Sequence, residues 1–195
     1  EEMGIPVVVC YGPVDLEQIQ KNVRLMAHAV GNPQGGEKVI SQMEERLQQT
    51  EQVLSGIQGP EPVGMLVSLM SRYGGTGSLY DDLCHRAHIR NGLAEAGLKN
   101  GQPLTREAIL QANPDFFLVS LPYGEEKEAY DRFQEQFFGD PSIQAVKGYA
   151  RRVALPDRYV YDASPMAVYG IQALANGAYG RELFKLGPEP LLKGY

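Results

Sequence analysis

The stretch Gly36–Ile57, GEKVISQMEERLQQTEQVLSGI, carries apolar residues at Ile40, Met43, Leu47, Leu54 and Ile57, with the half-apolar Thr50 between them. The steps alternate between three and four, the period of one helix face. Glu, Gln, Arg and Ser fill the rest, so one stripe is buried and the remainder meets water. Nothing breaks the helix before Gly56 and the Gly59-Pro60 pair. At 1.5 Å per residue the helix is a rod of roughly 33 Å, about one small domain across. Such a rod can join two lobes. Ahead of it there is room for one strand and one helix; behind it comes a full alternation of strands and helices.

Working outward toward the amino end, Ile5–Cys10 is a valine-rich run typical of a buried parallel strand. Asp15 is the expected N-cap of a helix reaching about Val30, with Leu16, Ile19, Val23, Met26 and Val30 on one face. Gly31-Asn32-Pro33 closes it. Glu1–Ile5 runs straight into the strand without any opening signal, so upstream sequence is expected to precede this chain.

On the carboxyl side, Val63–Met70 is a second buried strand, followed by the glycine-rich loop Ser71–Gly77. Ser78 caps the next helix, whose inner stripe is Leu79, Leu83 and Ala87, and Asn91-Gly92 marks a turn. Thr105 caps a short helix, Arg106–Gln111, and Phe116–Leu121 is a third strand. A helix over Glu125–Phe138 is expected to bury Ala129, Phe133 and Phe137, and Ser142 to cap a short turn after it. Arg152–Leu155 is a fourth strand candidate, and Ser164-Pro165 opens a last helix that ends at Gly177. Gly187–Tyr195 is a turn-rich tail. Alternating strands and helices imply an α/β fold: a parallel sheet covered by helices.

Composition narrows the function. The 195 residues have 43% hydrophobic content and a net charge of −6, without a basic stripe, which argues against nucleic acid as a partner. No apolar run is long enough to span a bilayer. Cys10 and Cys84 are expected to be buried free thiols. There is no GxSxG elbow, no HExxH and no nucleotide fingerprint, so no enzyme chemistry is apparent. Gly74–Ser78 only superficially resembles a phosphate cradle. His85 and His88 lie three apart near Asp81; metal or haem-iron ligation is conceivable, and a solvated helix face is the plainer reading.

Ligands of open parallel sheets bind beyond the carboxyl ends of the strands. That rule selects four loops, and each carries a tyrosine: Tyr11; Tyr73 beside Arg72; Tyr123; and Tyr161, with Tyr159 and Asp162 nearby. Tyrosine offers a flat apolar face and a polar tip, and Arg72 can pair with a carboxylate or phosphate. The candidate ligand-binding residues are therefore Tyr11, Arg72, Tyr73, Tyr123 and Tyr161.

Several stretches resemble a known family. GIPVVV with the helix start Asp15-Leu16-Glu17-Gln18-Ile19 is followed by the long helix and then by GSLYDDLCHRAHIRNGLAEAGLKNGQPLTREAILQANPDFFLV, Gly77–Val119. Farther on come FFGDPSIQAVKGYARRVALP, Phe137–Pro156, and ASPMAVYGIQALANGAYG, Ala163–Gly180. Their order and spacing resemble the class III substrate-binding proteins of ABC importers, which serve iron–siderophores, haem and cobalamin. Two departures stand out: His88 occupies the family's usual glycine position, and Lys147–Ala150 is offset from the usual pattern.

The resemblance implies two α/β lobes joined by a rigid helix, with the ligand in the cleft between them. Residues 1–35 would be a remnant of the N-terminal lobe, 36–58 the inter-lobe helix and 59–195 a Rossmann-like C-terminal lobe. It implies an extracytoplasmic protein, periplasmic or a cell-surface lipoprotein, with no intrinsic cofactor. Its ligand would be an iron–siderophore, haem or corrinoid, and its partner an ABC permease met through acidic residues such as Glu125, Glu126, Asp140 or Glu182. The incomplete N-terminal lobe would expose a sheet edge that invites a dimer. The alternative is a metal-cofactor enzyme subunit with nitrogenase-like architecture, which would need cysteines on a cluster.

Overall fold

The computed structural model describes residues 7–10, 12–68, 70–121 and 127–186. It opens with a helical hairpin: α1, Leu16–Ala29, and α2, Pro33–Leu54. Then follow β1 (Val63–Val67), α3 (Leu79–Arg86), β2 (Arg90–Asn91), α4 (Gly92–Glu95), α5 (Arg106–Ala112), β3 (Phe116–Leu121), α6 (Lys127–Phe138), α7 (Pro141–Gln144), β4 (Arg152–Pro156) and α8 (Ala167–Tyr179). The described strands form one parallel sheet in the order β2-β1-β3-β4. The fold is α/β, as the alternation of elements implies.

Local chemistry sets most helix starts. The Asp15, Ser78 and Thr105 side chains accept from the backbone N–H of Gln18, Asp81 and Ala108, the bonds an N-cap supplies. The long helix begins three residues before the expected Gly36. Asn32 caps it by accepting from Gly35 N, and Pro33 takes the first turn, where its missing N–H costs nothing. Its buried stripe is Gly36, Ile40, Met43, Thr50 and Leu54. Gly36 is needed because a Cβ there would sit 2.5 Å from the Ala27 Cβ on α1.

The two faces of the sheet follow from register. Val153 pairs with Leu118, so both point to one face, where Gly177 of α8 lies directly over Val153. Phe117 points to the opposite face, where Phe137 and Phe138 of α6 meet it edge-on at 5.8 and 5.4 Å. At the amino edge, Asn113 turns the chain with φ +40. Asp115 then clasps β1, its carboxylate accepting from Val63 N at 2.8 Å while its own N–H donates to Val63 O. Lys147 pairs with the same carboxylate.

Several expectations are corrected. Val7–Cys10 is not a strand: it has no regular structure and is exposed, with Val7 and Val9 each 68% accessible. An isolated ribbon leaves its N–H and C=O groups unpaired, and no described strand lies beside it. Cys10 is accordingly exposed, and only Cys84 is buried. Met26 and Val30 face solvent, because the face of α1 that meets the body runs through Leu16, Ile19 and Ala27. On α6 the buried residues are Tyr130 and Phe138. Ala129 is exposed, and Phe133 and Phe137 are half-buried, so the stripe is rotated by one position. Asp140, not Ser142, caps α7. The last helix begins after Ser164-Pro165 and runs past Gly177 to Gly180, which closes it at φ +64. Asn91-Gly92 is the end of β2 and the start of α4 rather than a plain turn. Ile5 and Pro6 of the expected strand, Glu125 and Glu126 at the start of the expected helix, and the tail from Gly187 lie outside the described residues.

Candidate functional site

All four strands point their carboxyl ends to one edge, and the chemistry-bearing loops gather there. β1 and β3 run into the same three residues, Leu66-Val67-Ser68 and Leu118-Val119-Ser120, each followed in the sequence by leucine. Leu66 pairs with Leu118 and Val67 with Val119, so Ser68 and Ser120 stand side by side one residue farther on. Both are buried. Ser68 Oγ hydrogen-bonds the Tyr161 hydroxyl and accepts from Met70 N at 3.0 Å. Ser120 Oγ donates to the Asp157 carboxylate. Two neighbouring strand ends thus form a polar floor carrying a phenol and a carboxylate. The repeated Leu-Val-Ser-Leu was the signal available in the sequence for this pair.

Burial pushes the Tyr161 hydroxyl well above the ordinary phenol range; nearby Asp157 adds to the shift and the serine hydrogen bonds only partly offset it. Tyr130 beneath is raised to about 12, first by burial and then by Asp157. Both are neutral phenols at any physiological pH.

The outer layer differs. A single 3-10 turn, Ser71–Tyr73, follows β1 and leaves Arg72 and Tyr73 exposed, Tyr73 by 48%. The guanidinium carbon of Arg72 lies 5.8 Å from the Tyr73 ring centre, and Arg72 reaches Gly101 O at 3.4 Å. A second 3-10 turn, Asp157–Tyr159, follows β4, with Arg158 beside the Tyr159 ring. It sits against α8 at Gly170, where a Cβ would meet Tyr159 O at 2.3 Å. The structure therefore brings Arg72, Tyr73 and Tyr161 to one edge, while Tyr11 and Tyr123 lie outside the described residues.

The glycine-rich loop serves its own chain. A Cβ at Gly75 would strike the Lys99 carbonyl carbon at 2.5 Å, so the glycine lets the Leu98–Lys99 segment pack close. Asn91, buried, ties the loop down by donating to Gly74 O and Asp81. The histidines lie away from this edge. His88 ends the turn after α3 with φ +53, the left-handed region where a glycine is unstrained, and its Nε2 meets Glu51 of α2 at 3.0 Å. Its carbonyl accepts from the Tyr179 hydroxyl. Among the described residues, no group of three or more His, Cys, Asp or Glu side chains is placed to hold a metal ion. Burial drives the Cys84 thiol well up, so it stays protonated. Among the described residues, no helix is long and apolar enough to cross a membrane.

A sequence model of periplasmic binding proteins matches residues 1–154. The chain belongs to that family. A search of curated proteins finds no match. Solved periplasmic binding proteins share the fold. The heme-binding protein RhuT from Roseiflexus sp. RS-1, in its apo form, is 24% identical with a TM-score of 0.77; the match covers 92% of this chain and 68% of RhuT. A periplasmic heme-binding protein from Pseudomonas aeruginosa is 19% identical with a TM-score of 0.72, covering 92% of this chain and 65% of that one. A protein of an ABC-type Fe3+-hydroxamate transport system from Saccharomonospora viridis is 12% identical with a TM-score of 0.69, covering 87% and 57%. The matches thus span 57 to 68% of the length of these structures. At these identities the likeness speaks for the fold.

Proposed function

We propose that this chain is the cargo-capturing component of an ABC importer, working outside the cytoplasmic membrane, and that its cargo is a metal chelate: a ferric siderophore, a haem or a corrinoid. The observation that carries this reading is the exposed Arg72–Tyr73 pair on the carboxyl edge of the parallel sheet, set over the neutral Tyr161 and the two strand-end serines. A partly apolar ligand with a peripheral carboxylate, such as a haem with its propionates, suits an aromatic face next to a guanidinium. Tyr11 and Tyr123 would join them from neighbouring loops. Solved relatives described as heme-binding or as part of an Fe3+-hydroxamate transport system support that cargo class.

In this reading α2 connects the sheet-bearing lobe, residues 59–195, to an N-terminal lobe that includes residues 1–35. A rigid connecting helix implies small movements of the lobes about the cargo. The partner is a permease met by acidic surface residues, and the chain performs binding rather than catalysis. The nitrogenase-like reading gains nothing: Cys84 is buried, Cys10 is exposed, and among the described residues no group of three or more His, Cys, Asp or Glu side chains is placed to hold a metal ion.

The test is an absorbance titration with haemin, a ferric hydroxamate and cobalamin, on the full-length gene product with the 195-residue chain beside it. Saturable binding of one probe by the full-length product is the expected result. Absence of saturable binding by all three would overturn the cargo assignment.

A further inference from the structure

Among the described helices, α8 has the longest run of buried residues. Ala167–Ala175 is buried without interruption, and within that run Gln172 is the one residue whose side chain ends in an amide. Such a residue in a dry helix interface needs partners at both ends of its amide, and it has them, all on α2. Its Oε1 accepts from Arg46 at 2.6 Å, and its Nε2 donates to Thr50 Oγ1 at 3.0 Å. Thr50, itself buried, donates in turn to Arg46 O at 2.8 Å. The Arg46 guanidinium lies 4.1 Å over the ring of Tyr169, one turn back along α8. The two ends of the Gln172 amide and the Thr50 hydroxyl thus each have a protein partner.

The rest of the α2 stripe that meets the body is generic: Ile40, Met43, Leu47 and Leu54. Apolar stripes pack in several registers of similar energy, whereas a buried amide is satisfied in one. Sliding α2 by a turn of about 5.4 Å, or rotating it by about 100° for one residue, strands the amide of Gln172 and the hydroxyl of Thr50 in an apolar interface. We infer that the Arg46–Thr50–Gln172 network, seated on Tyr169, fixes the register of α2 on α8 and through it the place of α1 beside the carboxyl edge of the sheet.

The transmission is short. α1 is tied to α2 by the Gly36–Ala27 approach and by the Arg24–Glu37 ion pair. At its other end, Leu16 N donates to Asp82 in the first turn of α3, directly after the glycine-rich loop at the carboxyl edge of the sheet. Gln172, Thr50 and Arg46 are positioning residues: they touch no candidate cargo residue, and they decide where the α1–α2 hairpin stands relative to those that do. This goes beyond the cargo reading and is independent of it, since no ligand enters the argument or the test.

The test compares the protein with a Gln172→Leu/Thr50→Val variant, whose side chains keep roughly the same volume. Spin labels are placed at Lys21→Cys on α1 and Glu107→Cys on α5, both exposed, with Cys10→Ser in every sample. The parent should give one narrow inter-label distance. The apolar variant should melt at the same or a higher temperature and give a broadened or split distance distribution. Arg46→Met alone should broaden it less. An unchanged narrow distribution in the apolar variant would overturn the inference, because packing alone would then set the register. Loss of cooperative melting in that variant would also overturn it, because the network would then serve stability rather than register.

Discussion

The two edges of one sheet are built by opposite rules. At the amino edge, Asp115 is held by charge: it accepts from Val63 N and pairs with Lys147. At the carboxyl edge, burial keeps Tyr161 a neutral phenol, its hydroxyl bonded to Ser68, and the charges lie outside it, on Arg72 and Asp157. The amino edge closes its polar groups on themselves. The carboxyl edge keeps an aromatic and a cation facing outward over a satisfied floor. An edge whose groups are all consumed serves stability, and an edge that leaves a guanidinium and a ring exposed is equipped to meet something else. Substitutions that separate stability from binding test this division.

The largest effect on stability is expected at Asp115. Asp115→Ala leaves Val63 N without its carboxylate and Lys147 without its pair, costing about 2–3 kcal/mol by the usual worth of hydrogen bonds to a charged group. Burial pushes this carboxyl up, but Lys147 and the Val63 N–H outweigh it and hold the group below the ordinary carboxylate range. A depressed folded-state pKa stabilises the protein above the unfolded value of roughly 3.9 and ceases to do so as pH falls through the folded value. Urea denaturation should therefore show the gap between parent and Asp115→Ala narrowing from pH 7 toward pH 3. A gap that is constant with pH would mean that the carboxylate's charge is not what holds this edge.

Tyr161→Phe comes next. It removes a buried hydroxyl with its serine hydrogen bonds and leaves Ser68 still accepting from Met70 N, so about 1–2 kcal/mol is expected. If the floor only supports the outer layer, cargo affinity should change little, and it should change in step with stability. A large affinity loss at unchanged melting temperature would move Tyr161 from floor to contact residue.

The same contrast explains what was legible from sequence. Helix starts were readable because Asp15, Ser78 and Thr105 act on backbone only three residues away. Strands β1, β3 and β4 announced themselves as apolar runs. β2 did not: it is two residues, Arg90 and Asn91, placed by a buried side chain that bonds Gly74 O and Asp81. Val7–Cys10 had the composition of a strand and lacks a neighbour, and pairing is a property of two segments rather than one. At the site, Arg72, Tyr73 and Tyr161 could be named because the loops after apolar runs are countable. Ser68, Ser120 and Asp157 were passed over because small polar residues at strand ends look like punctuation until register sets them side by side. The Arg46–Thr50–Gln172 network was hidden for a further reason: its members are up to 126 residues apart.

Arg72→Ala should have the smallest effect on stability and still be the sharpest test of the division. The side chain is exposed, and its one described hydrogen bond is a long one to Gly101 O, so a change within about 0.5 kcal/mol is expected in denaturation. Affinity for the chelate that the first titration identifies should nevertheless fall about 10- to 100-fold, the worth of one charge-assisted contact. Arg72→Lys keeps the charge and loses the planar fork, so it should recover only part of the loss. Added salt should weaken the parent more than Arg72→Ala, since screening acts on the contact the variant lacks. If Arg72→Ala binds as the parent does, the exposed cation is not a cargo contact, and the outward face of the carboxyl edge must be assigned to its tyrosines alone.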